Sequence, residues 1–513
     1  MEFRGWNKKM AKIILDAPLT WSQIAAIARH ESELELSPGT RVKLHDANLI
    51  VRAIIEKNIP AYGVNTGVGA LSQIIVPPAQ QGELSKNILM SHAVGVGAPL
   101  GAVETRAIMA ASVNNFALGY SGLRPLVVER MVELLNAGCS PIVPRQGSVG
   151  YLSHRAHIGL VLIGYGYAEL NGERLPAKEA LARLGLEPLV LQAKEGLCLV
   201  NGTACATGLG CLAVAWAEHL MNWADAIAAM SFESQRCQIS ALSQTAMALH
   251  ASPGLVEVAG KLRNLLSGSG ILAAAAGRRT QDALSLRGIP QVHGAVHDVW
   301  NNVATMVERE LHSVTDNPVI SGTPEAPEVF SQAHAVGAAI GFAMDHLAIA
   351  MAQLGTMSER RLDRMVDPLV NGLPAFLAKS NGVASGFMIA QYTSLSLVSE
   401  NRRLAAPSSL DSGVTSGLQE DMLCHATPAA LKVLDILANT QNILAIEYLA
   451  ACQSYDLLPG EAAPAARILP LYQALRREVA TYADDRPLGE DIAIAARLLG
   501  KYSPEGLLRD AGL

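Results

Sequence analysis

Residues 144–166 read PRQGSVGYLSHRAHIGLVLIGYG, a glycine-containing loop sequence that runs directly into an apolar segment. The loop part belongs to a Gly- and Pro-rich cluster at 140–151. Five more clusters of this kind lie at 61–72, 91–100, 265–294, 315–329 and 405–421. Chains that are mostly helical and carry several Gly-rich loops usually build their site from those loops, held on rigid helices. The pattern therefore predicts a functional site assembled from loops.

Helical signals dominate the sequence between these clusters. Long segments rich in Ala, Leu and Met, with apolar residues three and four apart, occupy 206–250, 291–314, 333–365 and 428–455. Minor strands are indicated around AKIILD (11–16) and RLPAKEA (174–180). We therefore predict an all-α fold with a long central helical bundle, in which residues 1–200 form a loop-rich N-terminal domain and residues 201–513 form the bundle.

Composition narrows the classes of partner and compartment. The 513 residues are 50% hydrophobic and carry a net charge of -6 without basic runs, which argues against nucleic acid as a partner. The mean hydropathy of +0.24 is high for a soluble protein and favours an oligomer that buries much of its surface, or a membrane protein. The longest apolar run, 335–357, contains Asp345 and His346 near its middle, so we interpret it as a buried helix and expect no membrane partner.

Cysteine usage favours a reducing compartment. The chain has seven scattered cysteines and no CxxC pair, which is typical of buried thiols and not of a disulfide framework or a zinc site. No N-terminal segment has the pattern of a secretory signal. We expect a cytoplasmic protein without a metal site.

A collinear series of short motifs spans about residues 60–455. It comprises AYGVNTGVG (61–69), LSKNILMSHAVGVGAP (84–99), GYSGLRP (119–125), GSVG (147–150), EGLCLVNGT (195–203), QDALSLRGIPQVHG (281–294), TDNP (315–318), SERRLDR (358–364), GFMIAQYTSLSLVSEN (386–401) and LDSGVTSGLQED (410–421). In this order the series resembles the histidine and aromatic amino-acid ammonia-lyases and aminomutases. Each motif alone is weak, whereas ten in order identify the family.

The resemblance implies an all-helical homotetramer whose active sites each draw on three subunits, with a small molecule as substrate. It implies that Tyr62 is the general base that takes the β-proton and that Arg287 binds the substrate carboxylate. The planar guanidinium of arginine suits a carboxylate. A tyrosine base needs nearby positive charge or dipoles because its usual pKa is about 10.

The remaining site residues implied by the resemblance surround the substrate. His92 and Glu420 would lie near the substrate ring, and a glutamate at this position is typical of histidine-directed members. Asn201 and Gln281 would be polar contacts, and Phe330 would line the pocket. Each has a plain structural alternative, such as a packed loop side chain, a loop-bracing amide or an ion pair.

The chain departs from the family directly after GSVG. Members that release ammonia continue with Ala-Ser-Gly, which cyclises into the electrophile methylidene-imidazolone, and then with Asp-Leu-Ala-Pro-Leu. Here Gly150 is followed by YLSHR and then by AHIGLVLIG, so three positions are missing. Tyr151, His154 and Arg155 replace the family's Asp, Pro and Leu, and Leu284 replaces its usual Tyr.

Two explanations of this gap stay open. The cyclised tripeptide is one non-standard residue, and a written sequence can lack it although the protein contains it. Alternatively, the electrophile is truly absent, which the simultaneous changes at Tyr151, His154, Arg155 and Leu284 favour. In that case Tyr151, next to the vacated position, is a candidate substrate contact.

Without an electrophile, the leaving group must depart unaided. A trimethylammonium group leaves as neutral trimethylamine, and aromatic faces suit a quaternary ammonium. The sequence therefore predicts a trimethylamine-lyase without a prosthetic group, of the ergothionase type, that converts ergothioneine to thiourocanate. The first alternative is a histidine or aromatic amino-acid ammonia-lyase whose methylidene-imidazolone tripeptide is missing from the sequence. The second is a non-catalytic member of the family.

Overall fold

The computed structural model describes residues 11–379, 382–460 and 462–513. Residues 1–10 of the predicted N-terminal domain, and residues 380–381 and 461 of the predicted bundle, lie outside them. The α-helices are α1 Trp21–Ala28, α2 Pro38–Glu56, α3 Gln81–His92, α4 Ala102–Ala117, α5 Pro125–Asn136, α6 Ser153–Leu162, α7 Ala177–Arg183, α8 Glu195–Val200, α9 Ala204–Ser234, α10 Gln244–Met247, α11 Pro253–Leu265, α12 Gly270–Ala275, α13 Leu284–Arg287, α14 Ile289–Leu311, α15 Ala338–Val366, α16 Pro368–Asn371, α17 Met388–Leu404, α18 Ala426–Asp456, α19 Leu469–Glu478, α20 Leu488–Lys501 and α21 Pro504–Asp510. The predicted all-α class is confirmed.

Short strands accompany these helices in the described residues. They are β1 Ala11–Leu15, β2 Ser32–Leu36, β3 Val96–Pro99, β4 Ser140–Pro141, β5 Pro144–Gln146, β6 Tyr167–Leu170, β7 Glu173–Pro176, β8 Val319–Gly322 and β9 Pro327–Phe330. Strands β1 and β2 pair in parallel. The other three sheets are antiparallel: β3 pairs with β5, β8 pairs with β9, and β6 pairs with both β4 and β7. The two predicted strand regions correspond to β1 and β7. The others are too short for alternation of apolar and polar residues to reveal them.

The long predicted helices are confirmed with one correction. The segments at 291–314, 333–365 and 428–455 correspond to α14, α15 and α18. The segment 206–250 was predicted as one helical stretch, whereas α9 ends at Ser234. Arg236 adopts a φ of 56°, a left-handed conformation that an α-helix does not continue through. A 3₁₀ turn at Ile239–Leu242 and α10 follow it.

The chain forms two compact units. The first contains the residues up to Ala215 together with Ala304–Asp345 and Pro407–Leu431, and the second contains Trp216–Val303, His346–Ala406 and Lys432–Leu513. The sequence predicts a single domain boundary near residue 200. In the structure, the two later segments Ala304–Asp345 and Pro407–Leu431 belong to the first unit as well.

In the first unit, α3, α6 and α8 pack against one another through glycines. A Cβ on Gly196 of α8 would lie 2.1 Å from the backbone oxygen of Ser85 in α3, and a Cβ on Gly159 of α6 would lie 2.7 Å from Leu89 Cδ2. These close approaches hold the three helices against one another. Of the predicted site residues, His92 ends α3, Tyr151 lies two residues before α6, and Asn201 directly follows α8.

The second unit contains a buried network of charged side chains. Arg361 donates to both carboxylate oxygens of Glu447 at 2.6 and 2.8 Å, and its guanidinium lies 3.2 Å from His293 Nε2. His293 and His297 hydrogen-bond to the two oxygens of Asp225 at 2.8 and 3.0 Å. All five side chains are buried, so the unit holds a polar core inside apolar helices.

Two segments, Glu195–Ser234 and Ala338–Val366, are long and apolar enough to cross a membrane by length and composition. Their most apolar windows are largely buried among other residues, and buried core helices of soluble proteins also meet this criterion. The seven cysteines are free and buried.

Candidate active site

The loop at 61–72 carries Tyr62 and is held by its own polar groups. Asn65 Oδ1 accepts from Ala61 N at 2.8 Å, and Asn65 Nδ2 donates to Ile59 O at 2.9 Å. Gly63 has a φ of 61°, and a Cβ there would lie 2.3 Å from Leu197 Cδ2. The loop therefore presents Tyr62 from a fixed backbone that requires glycine next to the tyrosine.

The Tyr62 hydroxyl is partly buried and accepts a hydrogen bond from Gly69 N at 3.1 Å. Burial raises the pKa of Tyr62, the Gly69 N–H opposes this, and the Glu420 carboxylate raises it further. Among the described residues, no cation contributes to this balance. Tyr62 is therefore protonated at neutral pH in this arrangement.

Glu420 faces Tyr62 from the loop at 405–421. Its backbone pairs with that of Thr415, and its Oε2 accepts from Thr415 Oγ1 at 2.7 Å. The 3₁₀ turns at Gly69–Leu71 and Ser416–Leu418 pack against each other, which brings the two loops together. Thr415 thus fixes the carboxylate whose charge acts on Tyr62.

Tyr151 joins this cluster. Its hydroxyl lies within hydrogen-bonding reach of the Glu420 carboxylate, and burial followed by the charge of Glu420 raises the pKa of Tyr151. The charges of Cys424 and Tyr62 add to the effect. Tyr151 is therefore a protonated donor beside Glu420, in the position that the sequence marks as vacated.

His92, the last residue of α3, is partly buried near Glu420. Its Nδ1 lies 3.0 Å from Ser91 Oγ. Burial lowers the pKa of His92, and the Ile88 carbonyl and the Glu420 carboxylate only partly oppose this. The structure therefore brings together four of the predicted residues, Tyr62, His92, Tyr151 and Glu420, with His92 as a neutral imidazole at neutral pH.

Asn201 directly follows α8 and is buried. Its Nδ2 donates to Asp316 Oδ1 at 3.2 Å and to Asn317 O at 2.6 Å. Asp316 also accepts from the buried Lys194 Nζ at 3.1 Å. Both hydrogens of the Asn201 amide nitrogen are thus used in hydrogen bonds within the protein. This fits the alternative that the Asn201 amide braces the loop.

Phe330 ends β9, opposite Val319, and is 51% exposed. To line a pocket, the Phe330 ring would have to be buried by further residues, and the described residues of one chain leave it half exposed. This role stays a prediction.

Arg287 and Gln281 belong to the second unit. Arg287 ends α13 and lines a cavity of about 850 Å³ together with Leu284, Met357, Arg360 and Arg364. Its Nε is buried without a hydrogen-bond partner among the described residues. An unpaired buried guanidinium nitrogen suits an anionic ligand. Gln281 is exposed in the preceding loop, and its role stays a prediction.

Three of the residues that replace the family pattern, Tyr151, His154 and Arg155, are buried, whereas Leu284 is 69% exposed. His154 Nε2 lies 2.9 Å from Arg145 O, while His154 Nδ1 and Ser153 Oγ are buried without a hydrogen-bond partner in the described part of the chain. Arg155 donates to Cys198 O at 3.0 Å and lies over the Phe116 ring. The family motifs imply no role for His154 and Arg155, although a histidine and an arginine at the start of an apolar run are an unusual signal.

The segment does not fit an electrophile made from its own residues. Methylidene-imidazolone arises from Ala-Ser-Gly, whereas Ser148 is followed by Val149 and Ser153 by His154. Ser148 is also engaged, since its Oγ donates to Tyr151 O at 2.9 Å and accepts from Gly150 N at 3.2 Å. Leu152, which precedes α6, has a φ of 77°. In the described residues, no three His, Cys, Asp or Glu side chains group as metal ligands.

Comparisons with known proteins agree on one family. A sequence profile of the family described as aromatic amino acid lyase matches residues 19–477. A histidine ammonia-lyase of Symbiobacterium thermophilum is 42% identical over 494 residues, which cover 96% of this chain and 97% of that protein.

Solved structures with the same fold include two further members. The histidine ammonia-lyase of Trypanosoma cruzi has a TM-score of 0.90 at 34% identity and covers 97% of this chain and 95% of its own. The ergothionase of Treponema denticola, solved with desmethyl-ergothioneine sulfonic acid, has a TM-score of 0.89 at 26% identity. The match covers 95% of this chain and 98% of the ergothionase chain. Since both the profile and full-length relatives match, the chain belongs to the aromatic amino acid lyase family.

Proposed function

We propose that this protein is a carbon–nitrogen lyase that acts on histidine and releases ammonia. The observation that carries the proposal is that Tyr62, His92 and Tyr151 cluster near the Glu420 carboxylate in the first unit, whose charge acts on all three. The missing positions after Gly150 favour trimethylamine as the leaving group. Full-length relatives named histidine ammonia-lyase, at 37% to 42% identity, support ammonia better.

The chain's own residues supply the proton chemistry in either case. Tyr62 removes the β-proton as a phenolate, and the Gly69 N–H, at 3.1 Å, is a dipole that stabilises this anion. Because the pKa of Tyr62 is raised, the phenolate is a minor species at neutral pH. His92 and Glu420 suit the imidazole of the substrate, one as a neutral ring and the other as an acceptor.

The substrate carboxylate is assigned to Arg287. Its unpartnered Nε and the neighbouring Arg364, whose Nε is also buried without a partner among the described residues, make the cavity electropositive. A guanidinium holds a carboxylate by two parallel hydrogen bonds.

Ammonia release needs an activated amine, and the segment 147–153 as written does not form the family's electrophile. A second candidate, trimethylamine release from a histidine betaine such as ergothioneine, is favoured by this segment and by Leu284. The phenol rings of Tyr62 and Tyr151 also suit a quaternary ammonium.

Intact-protein mass combined with turnover decides between the two candidates. The proposal is supported if histidine is turned over and the measured mass exceeds the 54.2 kDa of the sequence. The expected excess is the mass of one Ala, one Ser and one Gly residue minus the two water molecules that cyclisation releases. An unmodified mass with ergothioneine turned over supports the second candidate. Tight ligand binding in calorimetry without any product would show a non-catalytic protein and contradict both.

We further propose a cytoplasmic homotetramer without a metal cofactor that binds neither nucleic acid nor membrane. Helix α17 exposes Ile389, Tyr392 and Leu395, 48% to 65% each, which supports burial against other subunits. Light scattering coupled to size exclusion would detect a tetramer, and a monomer would contradict this assembly.

A further inference from the structure

Two buried hydroxyl side chains bind the backbone of the segment that replaces the family's tripeptide. Thr427 Oγ1 donates to Gly150 O at 2.9 Å. Ser148 Oγ donates to Tyr151 O at 2.9 Å and accepts from Gly150 N at 3.2 Å. The peptide units before and after the Tyr151 Cα are thus each bound by a hydroxyl, which fixes the direction in which the Tyr151 side chain leaves the backbone.

The backbone of this segment needs such support. Leu152 has a φ of 77°, which is costly for a residue with a Cβ, and its N–H donates to Val200 O at 3.0 Å. Gly150 has a φ of 151°, and a Cβ there would lie only 3.3 Å from Cys424 Sγ. A conformation of this kind persists only where the surrounding structure holds it. The segment therefore depends on its hydrogen bonds to neighbouring elements.

The Thr427 hydroxyl has a fixed orientation. Thr427 lies in the first turn of α18, is fully buried, and is 277 residues from Gly150 in the sequence. Its single hydrogen goes to Gly150 O, because a carbonyl oxygen can only accept. The Cys205 thiol lies within hydrogen-bonding reach of the same hydroxyl. Thr427 therefore ties the segment to the start of a long helix.

The side chain held in this way reaches the candidate site. The Tyr151 hydroxyl lies within hydrogen-bonding reach of the Glu420 carboxylate, and Cys424 and Tyr62 are the other titratable groups that face it. Thr415 Oγ1 donates to the same carboxylate at 2.7 Å. A carboxylate accepts several hydrogen bonds, so two donors can orient it and still leave room for a ligand N–H.

We infer that Thr427 is a positioning residue, whose hydroxyl, together with that of Ser148, holds Tyr151 where its phenol donates to the Glu420 carboxylate. Thr427 acts on the substrate ring only through Tyr151 and Glu420. The segment after GSVG is then a built support and not a mere gap. This inference rests on the proposed function, in which Glu420 accepts from the imidazole of the substrate.

Titration of Tyr151 tests the inference without any substrate. Burial and then the charge of Glu420 raise the pKa of Tyr151. T427V keeps the β-branched shape but removes the anchor, so the phenol should move away from Glu420 and the pKa of Tyr151 should fall. The ultraviolet absorbance of phenolate, taken as the difference between each protein and its Y151F counterpart, measures this pKa. T427S keeps the hydroxyl and should keep the pKa raised, whereas an unchanged pKa in T427V would overturn the inference.

The matched control is T207V. Thr207 is 3% exposed, and its Oγ1 also donates to a backbone oxygen, Thr203 O at 3.0 Å. T207V is expected to lose stability and to leave the pKa of Tyr151 raised, and an equal fall in T207V and T427V would overturn the inference. S148A removes the second anchor and should lower the pKa of Tyr151. If T427V does not fold, S148A decides, since an unchanged pKa there contradicts the inference.

Substrate kinetics separate positioning from a purely structural role. Because Glu420 contacts the ring and not the reacting atoms, T427V should raise KM for histidine about tenfold and change kcat less. In a Y151F background the same substitution should have no further effect on KM, since the donor that Thr427 positions is already gone. Equal losses in the two backgrounds would overturn the inference.

These measurements also separate the inference from the proposed function. If neither histidine nor ergothioneine is turned over, the proposed function fails, and the titration of Tyr151 still decides on Thr427. If histidine is turned over but Tyr151 titrates alike in T427V and in the unaltered protein, the inference fails and the proposed function stands.

Discussion

At the scale of single residues, the candidate site depends on how protons are shared among a few groups. Tyr62 and Tyr151 are held as phenols by burial and by Glu420, and His92 is held neutral. The motifs predicted that Tyr62, His92 and Glu420 belong to one site. They could not predict the direction of the pKa shifts, because these depend on burial and on distances between loops that are far apart in sequence.

Tyr62 is expected to be the base. Y62F should lower kcat about 10²–10⁴-fold, because it removes the acceptor of the β-proton and leaves the ring in place. Steady-state kinetics measure this, and circular dichroism checks that the variant is folded. An unchanged kcat would exclude Tyr62 as the base.

Glu420 is expected to set the pH at which Tyr62 becomes active. Its charge adds to burial in raising the pKa of Tyr62, so E420Q should lower that pKa and move the rising limb of the kcat/KM profile to lower pH. T415V keeps the charge while it removes the hydrogen bond at 2.7 Å, and should leave the limb in place. A limb that moves to higher pH in E420Q would refute this role.

At the scale of elements, the sequence predicts long helices better than the parts that build the site. The ends of α14, α15 and α18 lie within a few residues of the predictions, because each helix buries a continuous apolar face. The hairpins and the loop contacts between 69–71 and 416–418 were not predictable, since they depend on backbone hydrogen bonds and on glycine conformation.

Gly63 is expected to be required in the loop that carries Tyr62. G63A combines a left-handed backbone with a Cβ only 2.3 Å from Leu197 Cδ2, so the loop and Tyr62 must move and kcat should fall. The control is G172A, where φ is 79° and nothing lies within 4 Å of the added Cβ. It should cost about 1 kcal/mol of stability and leave activity unchanged. Equal effects in the two variants would contradict the steric argument.

At the scale of the whole molecule, the buried polar network of the second unit makes stability depend on pH. Burial lowers the pKa of His293 below its usual 6.5 despite the nearby Asp225. The unfolded chain therefore binds a proton there at a higher pH than the folded chain does. The stability that neutral His293 contributes is therefore fully present above pH 6.5. It is lost as the pH falls through the lower pKa of the folded chain.

The same direction holds for Asp225. Burial favours its neutral form, but hydrogen bonds from His293 and His297 outweigh burial and lower the pKa of Asp225. Its contribution is present above about 3.8 and is lost as the pH falls further. As the pH falls, the stability contributed by neutral His293 is lost first, and the stability contributed by charged Asp225 is lost at lower pH.

The free energy of unfolding in urea is expected to be smaller near pH 5 than near pH 7. H293Q cannot take up this proton, so its stability should change less between the two pH values. Equal pH dependence in H293Q and the unaltered protein would show that other groups cause the loss.

The buried cysteines give each unit its own chemical label. Cys139, Cys198, Cys205, Cys211 and Cys424 lie in the first unit, and Cys237 and Cys452 lie in the second, all as free buried thiols. A thiol-specific dye should therefore react with the chain only as it opens. The number of thiols released first, five or two, would identify which unit comes apart first, without any engineered probe.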